Sequence, residues 1–297
     1  MADFNQDHTR TLIPGLRPTR AVMLLTLGIL LLLGLIFTAS AAPLADTVFG
    51  AGSRDALLAQ SVLQAVCSFI LPAWICVKIF SKDAGKALGL TTPPRAAALL
   101  ATLVCMMVAV PLLNEIISLN ASMKLPEATD ALFRQWEKTS AEITARMLAT
   151  DSVGGLISGI LVVGVLTGFA EELFFRGALQ PMLRGEGMGA QGAIWLAAVV
   201  FSIMHFQPFG FFPRLLLGAF FGYLYAWSGS IWLSAAAHAL NNSLVVLVTW
   251  LSRRGADTSF YETAGTPESG TLWLAAVSAV ATAAAIYYSS RIIKQRH

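Results

Sequence analysis

Long apolar runs dominate this sequence and leave few folds open to it. Most of these runs contain roughly 17–25 residues, enough for a helix to cross a hydrocarbon core about 30 Å thick. Of the 297 residues, 56% are hydrophobic and only 12% are charged, which is too apolar for a soluble domain of this size. Backbone amides in lipid must bond within the protein, so helices are the default spanning elements. The sequence therefore predicts an all-α, polytopic transmembrane bundle with about eight spans, near residues 21–42, 57–80, 96–119, 159–183, 191–206, 213–227, 231–251 and 271–290.

The N-terminal residues 1–20 form a polar tail, which we expect to be cytoplasmic, and residues 21–297 are predicted to form a single membrane domain. Arg10 and Arg17 precede an apolar run that ends in the small residues 39–41, a pattern that resembles a cleavable signal peptide. The run is longer than a typical signal core and long enough to span a bilayer. We therefore expect a retained first helix, with cleavage as the alternative.

The distribution of lysines and arginines favours one orientation of the bundle. With eight spans, the tail arginines, the connection that carries Lys82 and Arg95, and the segment 291–296 fall on the same side. The positive-inside rule then predicts cytoplasmic termini, and we expect an integral protein of the bacterial plasma membrane. Arg253 and Arg254 fall on the opposite side and conflict with this orientation. The net charge of +3 is small and dispersed, so nucleic acid is not an expected partner.

The connection at about residues 120–152 is long, polar and expected to lie outside the membrane. Its apolar residues recur at helical spacing among charged ones, which predicts an amphipathic helix on the outer surface. A helix that lies in the membrane interface is the simpler interpretation, and a lid or substrate guide is the alternative. The apolar positions are Leu132, Phe133, Trp136, Ile143, Met147 and Leu148.

Polar residues interrupt three of the apolar runs in the second half of the chain. An isolated charge at the centre of an inserted helix costs roughly 2.5–3.5 kcal/mol, so these residues need partners or water. Ionisable residues within spans also indicate a functional site by default. The candidates are Glu171, Glu172 and Arg176 in the fourth run, Phe201 and His205 in the fifth, and His238, Asn241 and Asn242 in the seventh.

Residue spacing predicts which of these groups pair with one another. Glu172 and Arg176 are four residues apart and can form a salt bridge on one helical face, whereas Glu171 is turned about 100° away and is left as a free carboxylate. His238 and Asn242 are also four apart and project from one face of their helix. Each pair alone is more often structural than catalytic, so the functional hypothesis depends on their convergence.

Convergence requires that these side chains lie at similar depths in the membrane. If the fourth helix continues to Arg184, Glu171 and Asn242 lie about 20 Å and His205 about 21 Å from the cytoplasmic end, at about 1.5 Å of rise per residue. On this count His238 lies one turn shallower. We therefore expect a continuous fourth helix through the residues that follow Glu171.

Three motifs occur in order along the chain: E-E-L-F-F-R at 171–176, F-S-I-M-H at 201–205 and H-A-L-N-N at 238–242. They resemble the E-E-x-x-x-R, F-x-x-x-H and H-x-x-x-N/D motifs of the CPBP family, also called Abi. This family includes type II CAAX prenyl endopeptidases and bacteriocin-processing or immunity proteins. The resemblance covers about residues 154–251, the expected catalytic core, and the three motifs together are specific although each alone is weak.

The resemblance implies an intramembrane endopeptidase that hydrolyses a peptide bond in or near the membrane. The implied partners are the lipid bilayer and a membrane-associated peptide or protein substrate. A prenylated substrate is not implied, because nothing in the sequence identifies a groove for a prenyl group. In the implied roles Glu171 and His205 activate the hydrolytic water, His238 and Asn242 stabilise the oxyanion, and Glu172 and Arg176 orient the site, with Phe201 and Asn241 in support.

Members of this family have been described both as metalloproteases and as glutamic proteases. Glu171, His205 and His238 could hold a Zn²⁺ with one open position, as catalytic zinc sites require. The sequence contains no H-E-x-x-H motif. We therefore expect a mechanism that requires no cofactor, with zinc as the alternative.

A non-catalytic membrane protein is the competing hypothesis. It would be an immunity or scaffold factor, or a proton-coupled transporter that uses Glu171 and the histidines as a relay. A relay needs polar steps toward both faces, whereas the turn at 207–212 is mostly aromatic. The repeated broken helices typical of transporters are also missing. An inactive binding paralogue stays compatible with the sequence, because intact motifs indicate a capacity for catalysis and not turnover.

Overall fold

The computed structural model describes residues 19–185 and 187–295. These residues form helices and connecting turns and contain no β-strand, which confirms the all-α class. The predictions that concern Arg10, Arg17 and Arg296 lie outside the described residues.

Ten main helices make up the described part of the chain. Short helical turns at Ala84–Ala87, Pro208–Gly210 and Ser259–Thr263 lie in the connections. The main helices are α1 (Arg20–Phe49), α2 (Arg54–Phe80), α3 (Ala96–Val108), α4 (Val110–Ala121), α5 (Glu127–Met147), α6 (Val153–Leu183), α7 (Ala190–Ile203), α8 (Phe211–Ser228), α9 (Ile231–Arg253) and α10 (Leu272–Lys294).

Six of these helices, α1, α2, α6, α8, α9 and α10, are long and apolar enough to cross a membrane. The consecutive helices α3 and α4 meet at a bend of 47° and together have the length of a seventh span. Pro111 in the first turn of α4 accounts for the bend, because it removes a backbone donor from the helical ladder. The shorter apolar helix α7 coincides with the remaining predicted run. The chain is thus an integral membrane protein.

Polar residues at the ends of the spans determine where several helices begin and end. Thr19, Ser53, Ser152 and Ser230 precede α1, α2, α6 and α9, and each side chain accepts a hydrogen bond from a backbone N–H of the first turn. Gly229 ends α8 with φ of 64°, a left-handed conformation that glycine adopts without strain. These caps satisfy backbone groups that the helices leave unpaired at the membrane faces.

The helix α6 runs without a break from Val153 to Leu183, which confirms the predicted continuation beyond Glu171. Two π-helical turns lie within it, at Ile160–Leu166 and Leu173–Leu179. The second begins immediately after Glu172. A third π-helical turn lies in α2 at Ala65–Ile70. Such turns are rare and frequently occur at functional sites.

The amphipathic helix α5 lies on the face of the bundle where α1 ends and α2 begins. Its charged residues contact the turn between α7 and α8: Oε1 of Glu137 accepts from the Phe209 N–H over 3.2 Å, and the Arg134 guanidinium lies 4.3 Å from the centre of the Phe209 ring. At its other end the Ser61 hydroxyl of α2 donates to the sulfur of Met147 over 3.3 Å. A helix is thus present where the sequence predicted one, and α5 bridges two sides of the bundle, while its position outside the membrane stays a prediction.

The two arginines that conflicted with the predicted orientation share an acidic partner. Nε of Arg253 lies 3.1 Å from a carboxylate oxygen of Asp151, and Arg254 donates to the Asp151 carbonyl over 3.1 Å. Both arginines are therefore engaged at the junction between α5 and α6. The positive-inside rule counts lysines and arginines and not net charge, so the two arginines still conflict with the predicted orientation, which stays a prediction.

Candidate active site

A row of glycines on α6 lets α9 approach it closely. A Cβ atom on Gly168 would lie 3.0 Å from the Ala239 backbone nitrogen, and one on Gly159 would lie 2.9 Å from a methyl group of Val246. Gly164, between them, faces Ser243 in the same way. Small residues at this spacing permit close contact between membrane helices. The contact sets the register of α9, which brings His238 to the two glutamates of α6.

Glu172 lies at the centre of a buried network. Its Oε1 accepts from Arg176 over 2.8 Å and from Nδ1 of His238 over 2.9 Å. The Glu172 and Arg176 side chains are completely inaccessible, and the predicted salt bridge between them is confirmed. A buried ion pair needs such geometry, since it loses the hydration of both charges. Glu172 is therefore held as a structural anion and does not reach a cavity.

Arg176 also joins α6 to α8, through a contact that the sequence analysis missed. Its Nη2 donates to the Gly218 carbonyl over 2.8 Å, and one turn further along Gln180 donates to the Gly222 carbonyl over 3.1 Å. The two donors are four residues apart, as are the two acceptors, so the contacts form a ladder between the helices. The small-x-x-x-small pattern G-A-F-F-G at 218–222 is the sequence signal for this contact.

Aromatic rings enclose His238 and Arg176. The Phe221 ring stacks on the imidazole of His238, with centroids 5.0 Å apart, and the Phe201 ring meets the same imidazole edge to face at 5.8 Å. The Arg176 guanidinium lies 4.9 Å from the Phe201 centroid. Cation–π contacts are stronger away from water, so these rings stabilise the buried guanidinium. Phe201 thus packs against two of the predicted site residues, whereas the contact of Phe221 with His238 was missed.

His205 lies just beyond the end of α7, where Phe206 has φ of 53° and turns the chain toward α8. Nδ1 of His205 lies 2.9 Å from the Phe201 carbonyl oxygen, four residues earlier. A carbonyl can only accept, so Nδ1 carries the hydrogen in this contact. In the neutral ring, Nε2 then keeps its lone pair and can accept a proton.

Glu171 and His205 line the same cavity, which has a volume of about 400 Å³. The Glu171 side chain is 13% exposed, and its Oε2 lies 3.7 Å from Nε2 of His238. That separation is too long for a direct hydrogen bond. Glu171 is therefore the glutamate with a carboxylate open to the cavity, while its neighbour Glu172 is enclosed. The two glutamates therefore point in different directions around α6, as the sequence predicted.

Asn242 occupies a different level from the one predicted. Its amide donates to the Val163 carbonyl over 3.2 Å and accepts from Asn241 over 3.3 Å. His238, and not Asn242, lies level with Glu171, so the expected order of depths is wrong. The π-helical turn Leu173–Leu179 explains the error, because it fits more residues into each unit of rise than the straight helix assumed in the count.

The side chains do not form the arrangement that a three-ligand zinc site needs. Within the described residues, no three His, Cys, Asp or Glu side chains lie close enough together to hold a metal ion. We therefore derive no chemical step through a metal.

The fold and the site define an integral membrane helical bundle with a buried glutamate and histidine centre. Residues 153–244, which include α6 and most of α9, match the family model described as type II CAAX prenyl endopeptidase Rce1-like. This match confirms the resemblance carried by the three motifs over these residues. The chain is also 28% identical over 86 residues to the uncharacterized protein YpbD of Bacillus subtilis (strain 168), across 28% of this chain and 41% of that relative. No solved structure matches the chain significantly.

Proposed function

We propose that this protein is an intramembrane endopeptidase that acts on a membrane-associated peptide or protein. One observation carries the proposal: of two adjacent glutamates, Glu172 is bound by Arg176 and His238, while Glu171 faces a cavity that it shares with His205. A structural salt bridge alone would not need a second carboxylate beside it in the membrane. The family match over residues 153–244 supports the same class of activity.

In the proposed reaction Glu171 is the general base. A water in the cavity attacks the substrate carbonyl carbon while its proton passes to Glu171, with the lone pair of His205 Nε2 orienting the water. The tetrahedral intermediate then collapses as the C–N bond breaks, and Glu171 returns the proton to the leaving amine nitrogen. The products are a carboxylic acid and an amine, which balances the water consumed.

His238 and Asn242 are the proposed oxyanion donors. Nδ1 of His238 keeps its hydrogen on Glu172, so Nε2 can donate only when the ring is protonated. The Asn242 amide has two hydrogens, of which one is directed to the Val163 carbonyl, so one remains for a ligand. Donors of this kind act strongly where water is excluded. His238 lies close to Glu171, so in its protonated form it is the proposed main donor.

We also propose that the termini are cytoplasmic and that the cavity is reached from the opposite face. The cavity is lined by Ile143 and Met147 of α5, which lies on the side opposite the start of α1. Exposed cysteines at position 82 and position 268 would lie on opposite sides of the membrane. A membrane-impermeant maleimide applied to intact cells should label Glu268→Cys and not Lys82→Cys, and the reverse pattern would invert the orientation.

The deciding experiment is a peptidase assay of the purified protein against a library of membrane peptides. Wild type and Glu171→Ala are compared, each with and without a metal chelator. We expect cleavage by wild type, none by Glu171→Ala, and no effect of the chelator. Cleavage by both proteins would remove Glu171 from the reaction, and peptide binding without cleavage by wild type would favour the non-catalytic alternative.

A further inference from the structure

The cavity at Glu171 does not end beside the catalytic groups. A second cavity of about 430 Å³ lies between α1, α2 and α5 and is lined by Thr38, Ala42 and Leu57. The two cavities share four lining residues, Ser61, Gln64, Ile143 and Met147. They are therefore parts of one cleft, which we call the α2–α5 cleft, that leads from Glu171 toward the end of α1.

Polar side chains line the α2–α5 cleft at a depth where membrane proteins are usually apolar. Gln64 lies ten residues into α2, about 15 Å from its start. Its side chain is exposed in the cleft, and within the described residues no hydrogen bond to its amide is found. Such an amide is available to a ligand that enters the cleft, to which it can both donate and accept hydrogen bonds.

The dimensions of the cleft indicate the length of that ligand. Along α2 the lining runs from Leu57 to Phe69, twelve residues or about 18 Å of helix. An extended polypeptide advances about 3.3 Å per residue, so five or six residues would fill the cleft. The π-helical turn Ala65–Ile70 lies along the same wall, where the cleft meets Glu171.

A neighbouring cavity provides a contrast within the same molecule. It has a volume of about 510 Å³ and lies between the first half of α5 and the turn after α7, lined largely by apolar side chains such as Phe133, Trp136 and Phe212. An acyl or isoprenoid chain needs no hydrogen bonds and would suit such a surface. The α2–α5 cleft instead presents Gln64, Ser140 and Thr144, which suit a peptide backbone.

We propose that the α2–α5 cleft binds five or six residues of substrate as an extended peptide, with the Gln64 amide hydrogen-bonded to the substrate backbone. This inference rests on the proposed peptidase function and adds the form in which the substrate is held. The scissile bond lies at the Glu171 end, and α5 covers the bound segment through Ile143 and Met147. Because the contacts are to backbone amides, the substrate needs an unfolded segment more than a particular side chain.

The kinetic test compares Gln64→Leu with Gln135→Leu, the same chemical change on a residue of α5 that does not line the cleft. We expect Gln64→Leu to raise KM about tenfold, as the loss of one hydrogen bond would, with kcat nearly unchanged. Gln135→Leu should behave as wild type. An unchanged KM for Gln64→Leu, or an equal change in both variants, would overturn the proposal.

A binding test separates failure of this inference from failure of the proposed function. Ile143→Cys, which lines both parts of the cleft and leaves Gln64 in place, is put in a Glu171→Gln, Cys67→Ala background. Its alkylation by a maleimide is timed with capped hexapeptides, with the same peptides N-methylated along the backbone, and with phospholipid alone. We expect protection by the plain hexapeptides only. If the wild type cleaves nothing but this protection is seen, the cleft proposal is supported and the peptidase proposal is wrong. Protection by phospholipid, equal protection by N-methylated peptides, or no protection would overturn the cleft proposal.

Discussion

Nδ1 of His238 donates to Oε1 of Glu172 over 2.9 Å, across 66 positions of sequence. This contact fixes one edge of the imidazole and turns the other edge to Glu171, 3.7 Å away. Glu171, the proposed general base, and Glu172 are adjacent in sequence, yet the same histidine lies beside both carboxylates. Changes at the two glutamates should therefore have different consequences.

Replacing Glu171 by Gln should abolish peptidase activity and leave thermal stability nearly unchanged, because the amide keeps the size of the side chain but cannot accept a proton. The matched control is Glu172→Gln, which should lower the melting temperature because its side chain is completely buried between Arg176 and His238. Activity of Glu171→Gln within a few fold of wild type would disprove the general-base assignment. Melting in detergent and turnover of one peptide measure both effects.

Arg176→Ala should destabilise the bundle by about 3–5 kcal/mol, because it leaves the Glu172 carboxylate buried without its cation. The double variant Glu172→Leu with Arg176→Met should lose less, since no charge is stranded, although the His238 donor then loses its acceptor. Thermal unfolding of the three proteins in one detergent provides the comparison. Equal losses in the single and double variants would mean that the pair does not act as a unit.

His238→Ala should lower turnover by about 10²–10³ and leave a measurable remainder, as removal of one oxyanion donor does. Asn242→Ala should cost less, because its amide is directed in part to the Val163 carbonyl and lies further from Glu171. The measurement pairs these rates with metal analysis of each purified protein. Stoichiometric zinc that disappears with His238, with activity restored only by added zinc, would replace this mechanism by a metal-dependent one.

Gly222→Ala should destabilise the fold by about 1–3 kcal/mol, since small-to-large changes at packed positions force neighbours apart. The new Cβ would lie 2.8 Å from Oε1 of Gln180 and 3.0 Å from a methyl group of Ile194. The control is Gly28→Ala in α1, where a Cβ meets nothing within 4 Å. Helix propensity favours alanine at both positions, so a loss at Gly222 alone would isolate the packing effect. Equal melting temperatures for the two variants would show that α6 and α8 tolerate a wider separation.

The predictions that succeeded from sequence concern interactions within one helix. Apolar runs gave the spans, because a helix in lipid must satisfy its own backbone. The spacing of four residues predicted the salt bridge between Glu172 and Arg176. The rotation of about 100° per residue predicted that Glu171 points away from that pair. These features follow from the period of a single helix, so no knowledge of its neighbours was needed.

Contacts between helices were decided by the tertiary structure. The level of His238 depended on the π-helical turn after Glu172 and on the glycines of α6, neither of which a count of rise per residue includes. The position of α5 beside the cleft likewise depends on contacts such as that of Glu137 with Phe209. Sequence periodicity reports which face of a helix is apolar or polar. It does not report the register between two helices, which is set by the close fit of their surfaces, where a single Cβ decides the distance of approach.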